Sequence, residues 1–217
     1  MINKAESNGT TNMAHICGIV TEELKLNHKT YGEAFYTFEV GITRNSGYED
    51  RITVMASERI LSMIHIAEGM YVDIEGQIRT YNEDVGGRNR LNIVVFARDM
   101  VEIDEDAFPV NDIYLEGYLC KKPLSRTSPL GRKICDLMMA VNRMYNKSDY
   151  IPCISWGRNA IYSSTLEVGD KIAIHGRLQS RQYRKKQDDG EVVTKTAYEV
   201  SVLQMEPIEQ KEAEWSE

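Results

Sequence analysis

Nowhere in the 217 residues does an apolar run approach the ~18 residues that a membrane helix requires. The opening stretch, MINKAESNGTTN, has no apolar core, so no secretory signal is expected. There are only four cysteines, Cys17, Cys120, Cys135 and Cys153, and no C-x-x-C pair. Zinc and dithiol redox chemistry therefore have no support, and reduced structural thiols are the expectation. The four histidines, His15, His28, His65 and His175, show no ligand spacing, and no Gly-rich loop leads into a helix. No metal, cofactor or catalytic residue is expected on these grounds. What remains is an ordinary globular composition, 42% apolar and 27% charged. It excludes collagen-like, low-complexity and wholly disordered chains. The length allows one large domain or two small ones.

The net charge is −7, which taken alone argues against a nucleic-acid binder. An internal repeat changes that picture. An offset of 99 sets Asn12 on Asn111, Gly18 on Gly117, Arg44 on Arg143, Asp50 on Asp149, Ile52 on Ile151 and Arg59 on Arg158. One residue of slippage then sets Gly69 on Gly169 and Gly76 on Gly176. The spacing predicts a leader over 1–11, a first copy over 12–107, a second over 111–206 and a short acidic tail over 207–217. The connector Asp104-Glu105-Asp106-Ala107-Phe108-Pro109 is acidic and ends in proline, as a boundary should.

Both copies carry the same pattern. Period-two alternation predicts a first strand over 14–20 or 113–119, a second over 35–44 or 134–143 and a third over 50–57 or 149–156. A short helix follows over 58–67 or 157–166. A Gly turn then leads to a fourth strand, and a fifth covers 90–101 or 196–205. Five strands with a helix between the third and fourth is the order of an OB-fold. The expected fold is thus all-β with one short helix per repeat: two tandem OB-folds, each a five-stranded Greek-key barrel.

The third strand identifies a surface. Ile52, Val54 and Ala56 match Ile151, Cys153 and Ser155, all apolar or small, which marks the core face. Successive side chains point to opposite faces. Tyr150 and Trp156 therefore fall on the outer face, where the first copy has Arg51 and Ser57. Large rings on an outer sheet face point to a binding surface, with packing under a loop or a partner subunit as the alternative.

Charge is divided unequally between the copies. The first copy with its connector, 12–110, carries 9 Lys+Arg against 17 Asp+Glu, and the second carries 15 against 11. The second copy gathers Lys121-Lys122, Arg126, Arg132-Lys133, Arg177, Arg181 and Arg184-Lys185-Lys186 in loops and strand ends that flank the rings. Cations interleaved with aromatic platforms suit single-stranded nucleic acid. The helical stretch of the second copy carries one cation, Arg158, so groove reading of a duplex is not expected.

The second copy resembles the bacterial single-stranded DNA-binding protein family. The likeness is carried by N111-D-I-Y-L-E-G-Y-L119, M139-A-V-N-R-M-Y-N-K-S-D-Y-I-P-C-I-S-W-G-R-N-A160, V168-G-D-K-I-A-I-H-G-R-L-Q-S-R-Q-Y183 and T196-A-Y-E-V-S-V202. The first copy looks like a diverged relative, in E75-G-Q-I-R-T-Y-N82 and V94-V-F-A-R98. The resemblance implies base stacking on Tyr145, Tyr150, Trp156 and Tyr183. The expected phosphate contacts, from the distribution of charge, are Arg143, Arg158, Arg177, Arg181, Lys121, Lys122, Arg184, Lys185 and Lys186. In the first copy only Tyr81 keeps a ring, opposite Ser46, Arg51 and Ser57 at the other three places. That copy either contributes weakly, through Arg79, Tyr81, Arg88 and Arg90, or serves assembly.

The resemblance further implies a cytoplasmic, nucleoid-associated protein of replication, recombination and repair. A homodimer presenting four OB-folds is implied, with replication or repair proteins as further partners. The tail PIEQKEAEWSE is acidic and holds Trp215, but lacks the family's partner-recruiting tip. Two other readings compete. OB-folds host many ligands, so an accessory or primosome-type module binding RNA or a protein is one. A magnesium nuclease built on Asp104-Glu105-Asp106 is the other, and a solvated linker explains those carboxylates better.

Overall fold

Alternating apolar and polar residues set most of the chain as strands, and the computed structural model describes residues 10–105, 107–186 and 192–209. Among these residues the first half contains β1 (Asn12–Val20), β2 (Lys25–Thr30), β3 (Glu33–Thr43), β4 (Glu49–Ser57), α1 (Glu58–Leu61), β5 (Tyr71–Val85) and β6 (Arg88–Glu102). The second half repeats the order with β7 (Val110–Leu119), β8 (Leu124–Thr127), β9 (Lys133–Asn142), β10 (Ser148–Trp156), α2 (Arg158–Ser163), β11 (Lys171–Lys186) and β12 (Val192–Pro207). Both helices are shorter than the sequence pattern predicts. The strands β2 and β8 are additions to it. Every residue of both is exposed, so neither shows the alternation by which a half-buried strand is recognised.

The expectation of two separate five-stranded Greek-key barrels is corrected. The strands form one twelve-stranded sheet in the order β2-β3-β4-β6-β5-β1-β7-β11-β12-β10-β9-β8. The first strands of the two halves pair with each other, antiparallel, from Asn12 opposite Leu115 to Cys17 opposite Val110. The physical reason lies in the edges. A first strand has backbone donors and acceptors on both sides. The short β1–β3 pairing engages only Ile19 and Val20 of β1. The rest of that edge of β1 is satisfied by β7. All-β character stands, with two short helices.

The register about the seam is self-complementary. Asn12 faces Leu115 and Ile16 faces Asn111, and these four are equivalent by the repeat. The two halves thus meet as the subunits of a two-fold dimer do, within one chain. Ile52, Val54, Ala56, Ile151, Cys153 and Ser155 are all buried. Most of the buried apolar side chains of both halves form one continuous cluster.

Glycine is required where β5 and β11 bulge. Register shifts fall at Glu75/Gly76 and His175/Gly176. A Cβ on Gly76 would collide with the carbonyl oxygen of Phe96, and one on Gly176 with that of Ser201. The bulges bend the long strands so that their outer halves, carrying Arg79–Tyr81 and Gln179–Arg181, continue past the seam.

Candidate nucleic-acid interface

The seam places each half's third-strand loop over the other half. In the second half, Asp149 is the second residue of β10 and is fully buried. It accepts hydrogen bonds from the Arg143 guanidinium and the Thr80 amide, from Thr80 Oγ1 at 3.1 Å and from Arg79 Nη1 at 3.2 Å. Arg143 Nη2 also donates to the Thr80 carbonyl at 2.9 Å, and the Tyr150 amide donates to Thr80 Oγ1 at 3.1 Å. The first half repeats the device. Asp50 binds the Arg44 guanidinium and accepts from the Ser180 amide at 2.9 Å. The Arg51 amide donates to Ser180 Oγ at 3.1 Å. Thr80 and Ser180 are equivalent by the repeat, as are Asp149 and Asp50.

Two grooves result, related by the same pseudo-symmetry. The second-half groove contains Trp156, Arg126, Arg177, Arg181, Gln179 and Glu199. Arg44 and Tyr48 from the first half's β3–β4 loop complete it. Burial, and then the neighbouring Arg44 charge, pull the Arg177 guanidinium below its ordinary value. Its Nε is buried without a hydrogen-bond partner among the described residues. Arg126 is held by Asp136, with Nε at 2.6 Å from the carboxylate. Arg181 stands 4.0 Å from Glu199. Two crowded arginines with one unsatisfied donor favour an anion.

The first-half groove is apolar. Met55, Val94, Phe96 and Tyr81 line it, with Arg79 and Thr80. Met144, Tyr145 and Lys147 from the second half's β9–β10 loop complete it. Asn27 and His28 also line it, and rings stack in series from there: His28 on Phe35 at 5.0 Å, and Phe35 against Phe96 at 5.9 Å.

The residues expected from sequence are therefore distributed over three places. Trp156, Arg177 and Arg181 share the second-half groove. Tyr150 is 52% exposed on β10, its amide tied to Thr80 at the seam. Tyr145, Arg143, Arg79 and Tyr81 share the first-half groove. Arg143 and Arg79 both serve Asp149, and burial lowers the Arg79 pKa. Lys121, Lys122 and Arg158 are exposed and line neither groove. The backbones of Tyr183, Arg184, Lys185 and Lys186 belong to β11, and that of Arg88 opens β6. Their side chains lie outside the described residues, as do Asp106 and Trp215. Arg90 is exposed on β6.

Sequence reasoning missed Tyr48, whose ring carries the Arg44 guanidinium 4.6 Å above its centre. It also missed Phe96 and His28. No local signal marks them, because their place in a groove depends on the opposite half or on an edge hairpin. Among the described residues no group of three or more His, Cys, Asp or Glu is placed to hold a metal ion. No helix of the described residues is long and apolar enough to cross a membrane.

Comparison with known proteins agrees with this architecture. Residues 110–208 match the Single-strand binding protein family. Single-stranded DNA-binding protein A of Bacillus subtilis is 33% identical over 105 residues, 45% of this chain and 60% of that protein. The Clostridium tetani single-stranded DNA-binding protein is 32% identical over 103 residues, 44% of this chain and 71% of that protein. The chain spans about three fifths of the length of the first curated relatives it matches, 60% and 62%. In fold, the wild-type single-stranded DNA-binding protein of Thermus aquaticus superposes with a TM-score of 0.73 over 94% of this chain and 96% of that one, at 20% identity. A deletion variant of the same protein gives 0.75 over 94% and 98%. With 71% of the Clostridium tetani protein covered at 32% identity, the chain belongs to the single-strand binding protein family.

Proposed function

We propose that this chain binds single-stranded DNA without sequence preference and protects it during replication, recombination and repair. One observation carries the reading: Trp156 stands 37% exposed in a groove with Arg126, Arg177 and Arg181, and Tyr150 stands exposed on the same strand. Rings stack on any base, and cations follow the phosphates. The unsatisfied Arg177 Nε supports a phosphate there. Lys121, Lys122, Arg158, Tyr183 and Arg184–Lys186 extend the contact surface in this reading. The relatives are named for single-stranded DNA binding, which supports the same conclusion. The protein acts as a binding module rather than an enzyme, in the cytoplasm with the nucleoid. Residues 12–107 and 111–206 form its two OB-type units, and a homodimer presents four of them. Replication or repair proteins are its further partners.

Tryptophan fluorescence during oligo-dT titration tests this. With only two tryptophans, Trp156 and Trp215, a Trp156→Phe variant assigns the signal. Quenching that weakens with salt and disappears in the variant is expected. Absence of both quenching and binding by anisotropy overturns the reading, and tighter binding to oligo-U than to oligo-dT redirects it to RNA.

A further inference from the structure

We propose that Thr80, carried by the first half, is a positioning residue for Tyr150 in the second. The diverged half thereby aims a ring of its sister without touching the base that the ring holds. The inference rests on the single-stranded DNA reading above. Three observations carry it.

The first is an open edge. β10 pairs with β9 along its whole length, Ser148 to Trp156, but with β12 only at Cys153 and Ile154. The start of that second edge has no neighbouring strand, so a backbone donor there needs another acceptor. Thr80 Oγ1 supplies it, accepting the Tyr150 amide at 3.1 Å from 70 residues away in the chain.

The second is the grip of one residue on three. A hydroxyl can accept and donate at once. While Thr80 Oγ1 accepts from Tyr150, it donates to Asp149 Oδ1 at 3.1 Å. The Thr80 amide donates to the same carboxylate, and the Thr80 carbonyl accepts from Arg143 Nη2 at 2.9 Å. Asp149 is fully buried, and hydrogen bonds are electrostatically stronger in that low-dielectric setting.

The third is the asymmetry between the two equivalent latches. Ser180 Oγ accepts the Arg51 amide at 3.1 Å, and the Ser180 amide donates to Asp50 at 2.9 Å. The residue fixed there is engaged within its own half: Arg51 Nη1 lies 3.3 Å from Glu39 and Nε 3.0 Å from Glu49. Tyr150 is instead gripped at its backbone and leaves its ring on the surface. The tighter latch thus stands under the residue that is available to a ligand. A contact fixed before the ligand arrives loses less freedom on binding.

The test uses the full chain and the anisotropy of labelled oligo-dT. Thr80→Val removes the hydroxyl and keeps the branching. It is expected to weaken binding roughly three- to ten-fold, the share of one hydrogen bond. Thr80→Ser keeps the hydroxyl and is expected to bind like wild type. Thr80→Ala leaves room for water at Asp149 and is expected to match Thr80→Val, so it serves if the valine variant does not fold. Tyr150→Ala is expected to cost roughly five- to 150-fold. In that background Thr80→Val is expected to lose nothing further, because no ring remains to be aimed. With Trp156→Ala its loss is expected to multiply in full. Its salt dependence is expected to equal that of wild type, since no phosphate contact is removed. Any loss in Ser180→Ala is expected to persist without the Tyr150 ring.

Unchanged affinity in Thr80→Val and Thr80→Ala, while Tyr150→Ala still weakens binding, overturns the inference and leaves the single-stranded DNA reading intact. A Thr80→Val loss that persists in full without the Tyr150 ring also overturns it. So does unchanged affinity in Tyr150→Ala. A wild-type chain that binds no oligo-dT overturns both readings. Urea midpoints of each variant establish that affinity is read on folded protein.

Discussion

Asp149 sits fully buried with donors from two halves of the chain on its carboxylate. Removing it leaves the guanidinium groups of Arg143 and Arg79 partly buried without their counter-ion. Asp149→Ala is expected to cost about 3–5 kcal/mol of stability, read as a lower urea midpoint. Asp50→Ala is expected to cost less, because Arg177 feels the Asp50 charge without a hydrogen bond, whereas Arg79 donates one to Asp149. Equal losses would show that the Arg79 hydrogen bond adds nothing. Tyr145 supplies the opposite case. Its left-handed backbone, with φ +61°, costs roughly 1–2 kcal/mol relative to a residue that tolerates it. Tyr145→Asn is expected to recover part of that while weakening oligo-dT binding. A stabilised variant with undiminished affinity would separate the strain from any role in binding.

Among elements, the long strands β5 and β11 position both sites. Each begins beside the seam, bulges at a glycine and then carries groove residues outward. Gly176→Ala drives a methyl group into the Ser201 carbonyl. An overpacking cost of about 1–3 kcal/mol is expected. A shift in the outer arm of β11 would also move Arg177 and Arg181, so weaker and less salt-dependent oligo-dT binding should accompany it. Unchanged binding in a destabilised Gly176→Ala protein would mean that the bulge supports the sheet without aiming the groove. The edge strands β2 and β8 lie at the two ends of the sheet. Lys25 and Lys29 in β2, and Arg126 in β8, place charge on those edges, which discourages further pairing.

For the whole molecule, the shared sheet makes the two halves one thermodynamic object. Unfolding is expected as a single transition, with Trp156 fluorescence in the second half coinciding with loss of sheet signal. Two separated transitions would show that β1 and β7 part before either half unfolds. Stability is also expected to depend on alkaline pH. Burial raises the thiol pKa of Cys17, Cys120, Cys135 and Cys153. The folded state therefore keeps these thiols neutral where the unfolded chain ionises. Their contribution is complete below the ordinary thiol value of about 8.5 and is lost as pH rises above it. Urea midpoints should fall above about pH 9, and Cys153→Ala should flatten part of that fall. A midpoint constant through this range would remove the thiols from the stability balance.

How much of this was legible in the sequence differs from residue to residue. Period-two alternation is local, so it placed Ile52, Val54, Ile151 and Cys153 in the core and turned Tyr150 and Trp156 outward before any fold was known. The 99-residue offset likewise matched the two halves element by element. The edge strands β2 and β8 escaped because strands exposed along their whole length leave no alternation to detect. Met55 and Ile154 lie on the outer parity of their strands and are nevertheless buried, since strand parity says which face a side chain takes and not what covers that face. Only the tertiary structure decided that β1 pairs with β7, which turned two expected barrels into one sheet. That pairing sends Tyr145 to the groove of Tyr81 and Tyr48 to the groove of Trp156. Local pattern determines how each residue faces its own strand; long-range pairing across nearly a hundred residues of chain determines which half it meets.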